Sequence, residues 1–426
     1  MLTKRFNQIF KLIILGLLLA GMPRVTAQSI TLAECQSRAM AASPLQQKSN
    51  YVASIRTLQE QNRTASSLPQ LSVQGSATYQ SDVFHFPLSL PGSDIPMVPK
   101  DQYNLSVQLN QQLYDGGMAR ANRQVEDAEL SIRQTETDLS LTQVQSVISE
   151  LYFGVLTVQE NTLLIDALLN ELDNRYNKAR VSYQNGLVLA STLRLIEKEK
   201  LKAAQQKVSL AIRQEALRQA LGNWVGQDLR TYQLIFPEIL PPPNAINRVE
   251  IRLFDQQNEL YHSKILLNQT TKRPRLSAFA LAGLGQPNPM NFFETGWSDY
   301  YMIGARLQWN AWDWGKTRRN SDILAISQQS ITSEKEQFLR NVQSQQFLAA
   351  SEIEQLNQLL LMDQKLVALQ KEILEESRIQ AEQGTLSEAD YISQLNEYVQ
   401  VQLQLKLHQI QLSYQTIAYM ILTGNL

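Results

Sequence analysis

The chain has 426 residues, 43% of them hydrophobic and 19% charged, with 39 Lys and Arg against 40 Asp and Glu. That length holds two or three ordinary domains, and the low charge leaves Gln, Asn, Ser and Thr to cover much of the polar surface. The near-neutral balance gives no general attraction to nucleic acid, and a single cysteine, Cys35, excludes an intrachain disulfide.

The chain opens on a basic start (Lys4, Arg5, Lys11), a short apolar run from Leu12 to Ala20, and small residues at Val25 to Ala27. This is the layout of a secretory signal peptide, residues 1–27, cleaved before Gln28. An N-terminal anchor is the alternative, but the run is short for a membrane span. Without residues 1–27 the balance is 35 basic against 40 acidic side chains, or −5. No later segment approaches the roughly 20 apolar residues of a membrane helix. Thr31 and Glu34 spell a capping box. Ser43-Pro44 breaks that helix and starts the next as N-cap and N1. Cys35 lies too far past the apolar run for a lipidated N-terminus and reads as a small buried apolar residue.

Strands follow at about 70–80 and 102–113. In "LSVQGSATYQ", Leu71, Val73, Ala77 and Tyr79 alternate with Ser72, Gln74, Ser76 and Thr78. Tyr103, Leu105, Val107 and Leu109 alternate with Asn104, Ser106, Gln108 and Asn110 in the next. A second pair falls at about 275–284 and 300–310. Its first member alternates poorly, with Phe279 and Leu281 on what should be the polar face. Alternation alone fits any half-buried strand. The runs of about 10 residues, however, match tilted membrane strands, and an uncharged polar face suits a water-filled bore. Tyr300 and Tyr301 at one end, and Trp309, Trp312 and Trp314 at the other, read as the two interfacial girdles of an outer-membrane barrel; a Trp cluster also fits a soluble core or a stacking platform. In lipid an open sheet cannot span, and about eight strands is the minimum for a barrel. Four strands per chain then require several chains to share one barrel.

Each strand pair leads into a very long helix. Residues 118–184 hold no Pro and only Gly154, and 316–383 hold neither Pro nor Gly. A continuous helix of that length runs roughly 100 Å, which points to coiled coil. Gly186 and Gly384 then sit where a left-handed C-cap is needed, and a second helix follows each turn, to about 221 and 422. Asp115 and Asp313, and Gly186 and Gly384, share one spacing of 198 residues, so the unit is duplicated. The boundaries read as a first repeat at 28–222 with its hairpin at 118–222, a Pro-rich linker at 223–246, and a second repeat at 247–426 with its hairpin at 316–423. Nothing points to an enzyme, cofactor or metal. His85, His262 and His408 match no metal spacing, and "AGLGQP" lacks the third Gly and the helix of a nucleotide loop.

These residues together resemble the TolC-like outer-membrane efflux proteins over nearly the whole mature length. "TLAECQSRAMAASPLQ" is similar to the family's opening, with Ser43 in place of its usual Asn. "QQLYDGGMARA" is close to the segment after its second strand, and "YQNGLVLASTL" and "AEQGTLSEADYI" are similar to its turns. "RQALGN" and "YMILTGN" match its helix ends. The resemblance implies a mainly α fold with a membrane β-barrel: a homotrimer whose protomers each give four strands to a 12-stranded barrel in outer-membrane lipid. The long helices would form a periplasmic α-barrel. It implies passive export of small molecules or proteins, with a periplasmic adaptor protein and an inner-membrane pump of RND or ABC type. The adaptor would touch Gln184, Asn185, Gly186 and Leu187, and Gln383, Gly384, Thr385 and Leu386. Some members gate the entrance with an Asp six residues after the second Gly. Asp390 matches that place, Thr192 is its first-repeat equivalent, and Ser393 replaces a further Asp. The alternative for Asp390 is a solvated carboxylate in a first helical turn. A periplasmic adaptor or a non-conducting coiled-coil surface protein are the other readings of the whole chain.

Overall fold

Thr31 starts the first helix as the capping box requires. Its hydroxyl accepts the Glu34 N–H at 3.2 Å while the Glu34 carboxylate accepts the Thr31 N–H at 3.0 Å. The computed structural model describes residues 28–83, 97–238, 241, 243–291 and 293–426. The expected leader and His85 lie outside the described residues. In chain order the elements are β1 (Ser29–Ile30), α1 (Leu32–Ala42), α2 (Pro44–Ser66), β2 (Gln70–Tyr79), β3 (Asp101–Tyr114), α3 (Met118–Gln184), α4 (Ala190–Val225), β4 (Gln233–Leu234), α5 (Val249–Thr270), β5 (Arg275–Gln286), β6 (Ser298–Gln308), α6 (Lys316–Glu382) and α7 (Glu388–Thr423). Helices α3 and α6 have 67 residues each, and α4 and α7 have 36 each. The fold is thus mainly helical, with four long strands.

Two compact units interleave along the chain. One takes the residues up to Gln46, Ser140–Asn247 and Val342–Leu426. It is helical, with the two-residue strands β1 and β4 paired in parallel. Its core has two clusters. In the first, Ile30, Cys35, Ile148, Tyr152, Leu221, Leu229 and Leu234 are all nearly or fully buried. Burial pushes the Cys35 thiol up to about 12, as expected of an inert packing residue. In the second, Leu172, Ile196, Tyr391, Ile392 and Leu395 pack together.

The segment between the repeats is not a bare tether. Helix α4 runs four residues past the expected 221, because Gly226 (φ 74°), not Gly222, adopts the left-handed cap. Gly222 stays helical and makes room for the returning chain: a Cβ there would lie 2.7 Å from the Gln227 carbonyl. Arg218 then anchors the return, donating to the carbonyls of Leu229 (2.8 Å) and Tyr232 (2.7 Å).

The other unit takes Gln47–Leu139 and Arg248–Asn341. It holds one antiparallel sheet in the order β2-β3-β5-β6. Below it, α2 meets the start of α3 through Arg63–Glu126 at 2.8 Å, and α5 meets the start of α6 through Asn268 and Ser321 at 2.9 Å. Both strand-to-helix corners use the same device. Asp115 accepts the N–H groups of Gly117 and Ala119, and Asp313 those of Gly315 and Thr317. Each carboxylate thus satisfies otherwise orphaned N–H groups at a helix start.

Candidate functional site: the sheet faces and the hairpin turns

Register assigns each strand residue to a face. Leu71, Leu109, Ala280 and Ile303 form one row, and Val73, Val107, Ala282 and Tyr301 the next. These apolar rows are open: Leu71 is 69% exposed, Tyr301 75% and Ile303 78%. The opposite face carries Gln70, Asn110, Phe279 and Gly304 in one row, Ser72, Gln108, Leu281 and Met302 in the next, and Gln74, Ser106, Gly283 and Tyr300 in a third. On β2 and β3 this face is uncharged and polar, as the alternation predicts. On β5 it is partly apolar, because Phe279 covers Gly304 opposite. A Cβ on Gly304 would sit 2.8 Å from that ring. The break in alternation is therefore a pairing of large with small across two strands.

Among the described residues the outer edges of β2 and β6 have no partner strand. An open edge beside a wide apolar face is unstable in water and in lipid alike.

The expected aromatic girdle needs one correction. Tyr300 and Tyr301 are adjacent, so they point to opposite faces. Tyr301 stands on the open apolar face. Tyr300 is buried on the polar face, where it covers Gly283 and its hydroxyl bonds Asn104 at 2.5 Å. Strand β6 ends at Gln308, so Trp309, Trp312 and Trp314 follow it rather than close it. All three are more than 60% exposed, and Trp312 and Trp314 meet edge to face at 5.7 Å. At the other end the reading missed Trp297, which stacks on Tyr103 at 6.0 Å, and Tyr79, which is 77% exposed. Trp297 precedes the alternating stretch, so no strand pattern marks it.

The two hairpin turns are built alike. Gly186 and Gly384 both have φ 75°. The Leu187 N–H reaches the Ser182 carbonyl at 2.9 Å, and the Thr385 N–H reaches that of Gln380 at 3.0 Å. With the Gly186 to Tyr183 and Gly384 to Ala381 bonds beside them, each is a Schellman cap. Gln184, Asn185, Gly186 and Leu187 are exposed, as are Gln383, Gly384 and Thr385. Leu386 is half-buried against the second core cluster.

Asp390 is exposed in the first turn of α7. The Ser387 hydroxyl donates to its carboxylate at 2.6 Å and accepts its N–H at 3.1 Å. The carboxylate is thus engaged in a helix cap. Thr192 is half-exposed in the first turn of α4, where Leu189 offers no side-chain cap. Close by along α7 lies a buried group that no sequence signal marks. The Arg175 guanidinium sits 3.7 Å over the Tyr391 ring and donates to Glu171 at 3.1 Å; the Tyr391 hydroxyl donates to the same Glu171 oxygen at 3.0 Å. Burial pushes the Tyr391 phenol up to about 12 and raises the Glu388 carboxyl above its usual range.

No family model matches the sequence, and no curated protein matches it. Solved structures do match in fold. The outer-membrane protein VceC of Vibrio cholerae superposes with a TM-score of 0.69 at 15% identity, covering 92% of this chain and 96% of that one. CusC, whose structures concern transmembrane channel formation, gives 0.71 at 14% identity over 92% and 91% of the two chains. The open state of the MtrE outer-membrane channel of Neisseria gonorrhoeae gives 0.67 at 16% identity over 95% and 94%. The chain has the fold of these TolC-like outer-membrane channels along nearly its full described length.

Proposed function

We propose that the chain is one protomer of an outer-membrane exit duct, the outermost part of a tripartite efflux or type I secretion assembly. The observation that carries this reading is the sheet: among the described residues it has four long strands, one open apolar face, one polar face and two unpartnered edges. Lipid suits the first face and water the second. The edges find partners only if copies place β6 of one beside β2 of the next. Three copies, the number the resemblance implies, would close a 12-stranded barrel, above the practical minimum of about eight.

The duct itself would conduct passively, with energy and most selectivity supplied by an RND or ABC pump in the inner membrane. The exposed turns Gln184–Leu187 and Gln383–Thr385 are the proposed surface for a periplasmic adaptor. Asp390 and Thr192, one turn into the returning helices, are the proposed entrance residues. Copies of Asp390 near one axis would repel each other or hold cations. The adaptor reading is disfavoured by the sheets: among the described residues there are only the four-stranded sheet and the β1–β4 pair.

The test is fractionation followed by conductance. The protein should appear in the outer-membrane fraction, need detergent for extraction, and form discrete conducting channels in planar bilayers. A soluble, non-conducting protein would refute the duct.

A further inference from the structure

The polar face of the sheet carries charge of one sign only. Of all strand residues on that face, the charged ones are Arg275 and Arg306, one row apart on β5 and β6, where Ser277 pairs with Arg306 and Arg275 with Gln308. The strand carboxylates, Asp101 and Asp299, stand at strand starts and share the register of the opposite face, beside Tyr79 and Leu284. Among the described residues neither arginine has a carboxylate within ion-pair distance. Arg306 instead sits over the Phe279 ring, 5.3 Å from its centroid. Phe279 is followed on the same face by Leu281 and its row partner Met302, which is 42% exposed. A cation held on an aromatic face beside two further apolar side chains is matched to a particular kind of solute. That solute has an apolar or aromatic body and a negative charge. An uncharged polar wall, as on β2 and β3, has neither feature.

Resting on the duct reading above, we infer that the β5–β6 wall of the lumen is a selectivity patch: it favours anions and transiently holds anionic amphiphiles as they pass. Arg306 and Arg275 supply the charge, and Phe279, Leu281 and Met302 the apolar contact. An arginine suits this role better than lysine because its planar guanidinium stacks on the ring and keeps its charge at any working pH.

The experiment uses the full-length protein in planar bilayers, at low salt so that screening does not hide the effect. Reversal potentials in a KCl gradient give the chloride-to-potassium permeability ratio. The wild type should prefer chloride. R306Q and R275Q should each lower the ratio by about fourfold or more, because one unit charge about 10 Å away in water changes chloride and potassium by about twofold each, in opposite senses; R306K should keep it. Naphthalene-2-sulfonate should block the current more strongly than 2-naphthyltrimethylammonium, which has the same aromatic body and the opposite charge. F279S should weaken the sulfonate block roughly two- to tenfold. Channels that conduct but prefer potassium, keep their ratio in R306Q and R275Q, or are blocked equally by both naphthalenes overturn the patch and leave the duct standing. A ratio that shifts in D390N but not in the arginine variants overturns it too, by placing selectivity at the turns. Absence of any conductance removes the duct and the patch together.

Discussion

Replacing Tyr152 by Phe removes one hydroxyl from a site closed to solvent. The side chain is fully buried in α3, and its O–H reaches the Ile235 carbonyl at 2.6 Å and the Ile30 carbonyl at 3.0 Å. One proton thus ties the residues ending β1 and following β4 to the long helix. Phe fills the same volume, so no large cavity opens. What is lost is hydrogen bonding to the carbonyl of the buried Ile30, which keeps a second partner in the Ile235 N–H at 3.2 Å, and to that of Ile235, a residue 43% exposed. Losing such a bond, with neither acceptor left both buried and unpaired, costs about 0.5–1.5 kcal/mol. If the β1–β4 pair opens locally, that cost appears as about two- to thirteenfold faster hydrogen exchange at the amides that hold it. Those amides are Gln233, bonded to Gln28 at 2.9 Å, and Ile235. The assay is hydrogen exchange by mass spectrometry on detergent-extracted protein, with Tyr391–Val399 in the other core cluster as the internal reference. Unchanged exchange at 233 and 235, or equal acceleration at the reference, would refute the clamp.

Three further outcomes follow from the same contacts. Burial raises the Glu388 carboxyl, against a smaller opposing pull from Arg175, and its Oε1 has no hydrogen-bond partner. A raised folded pKa favours the fold below the unfolded value and loses that favour as pH rises through the folded one; E388Q should therefore unfold at a higher temperature than the parent at neutral pH and show a flatter pH dependence. Asp313 behaves in the opposite sense. Hydrogen bonds from Thr317, then Gly315, and the nearby Lys272 hold its carboxyl well below the usual range, so its contribution is present above the ordinary pKa and lost as pH falls through the folded value. D313N should unfold more easily at neutral pH with a shallower acid limb, read by thermal melts across pH. Gly222→Ala places a Cβ 2.7 Å from a backbone oxygen that cannot swing aside. It should cost about 1–3 kcal/mol and speed exchange at 226–229, whereas Ala at Gly154, which meets only Leu217 methyls at 3.5 Å, should not.

Much of the fold was legible because it follows from single-residue chemistry. The stretches 118–184, with no Pro and only Gly154, and 316–382, with neither, are the two long helices. Glycines, which take the left-handed state at no steric cost, mark the turns. Alternation gave β2, β3 and β6, since each presents one simple face to each solvent. β5 was harder, because Phe279 faces the polar side to cover Gly304, and only the register shows that pairing. The error at Tyr300 had a signal available: neighbours in a strand cannot share a face. The Glu171–Arg175–Tyr391 group and the β1–β4 pair had none. The first joins residues 220 apart in the chain, and the second is two residues long on each side, too short to leave a pattern. Asp390 lies in the first turn of α7, where its bond to Ser387 shows that a helix cap alone accounts for a carboxylate.

The most direct test of the proposed assembly is native mass spectrometry of the detergent-extracted protein, paired with hydrogen exchange at the outward edges of β2 and β6. Closure by shared strands predicts a particle of three chains in which amides along Gln70–Tyr79 and Ser298–Gln308 are as protected as those of the inner strands β3 and β5. A single chain that stays folded without detergent, with those two edges exchanging freely, would contradict it.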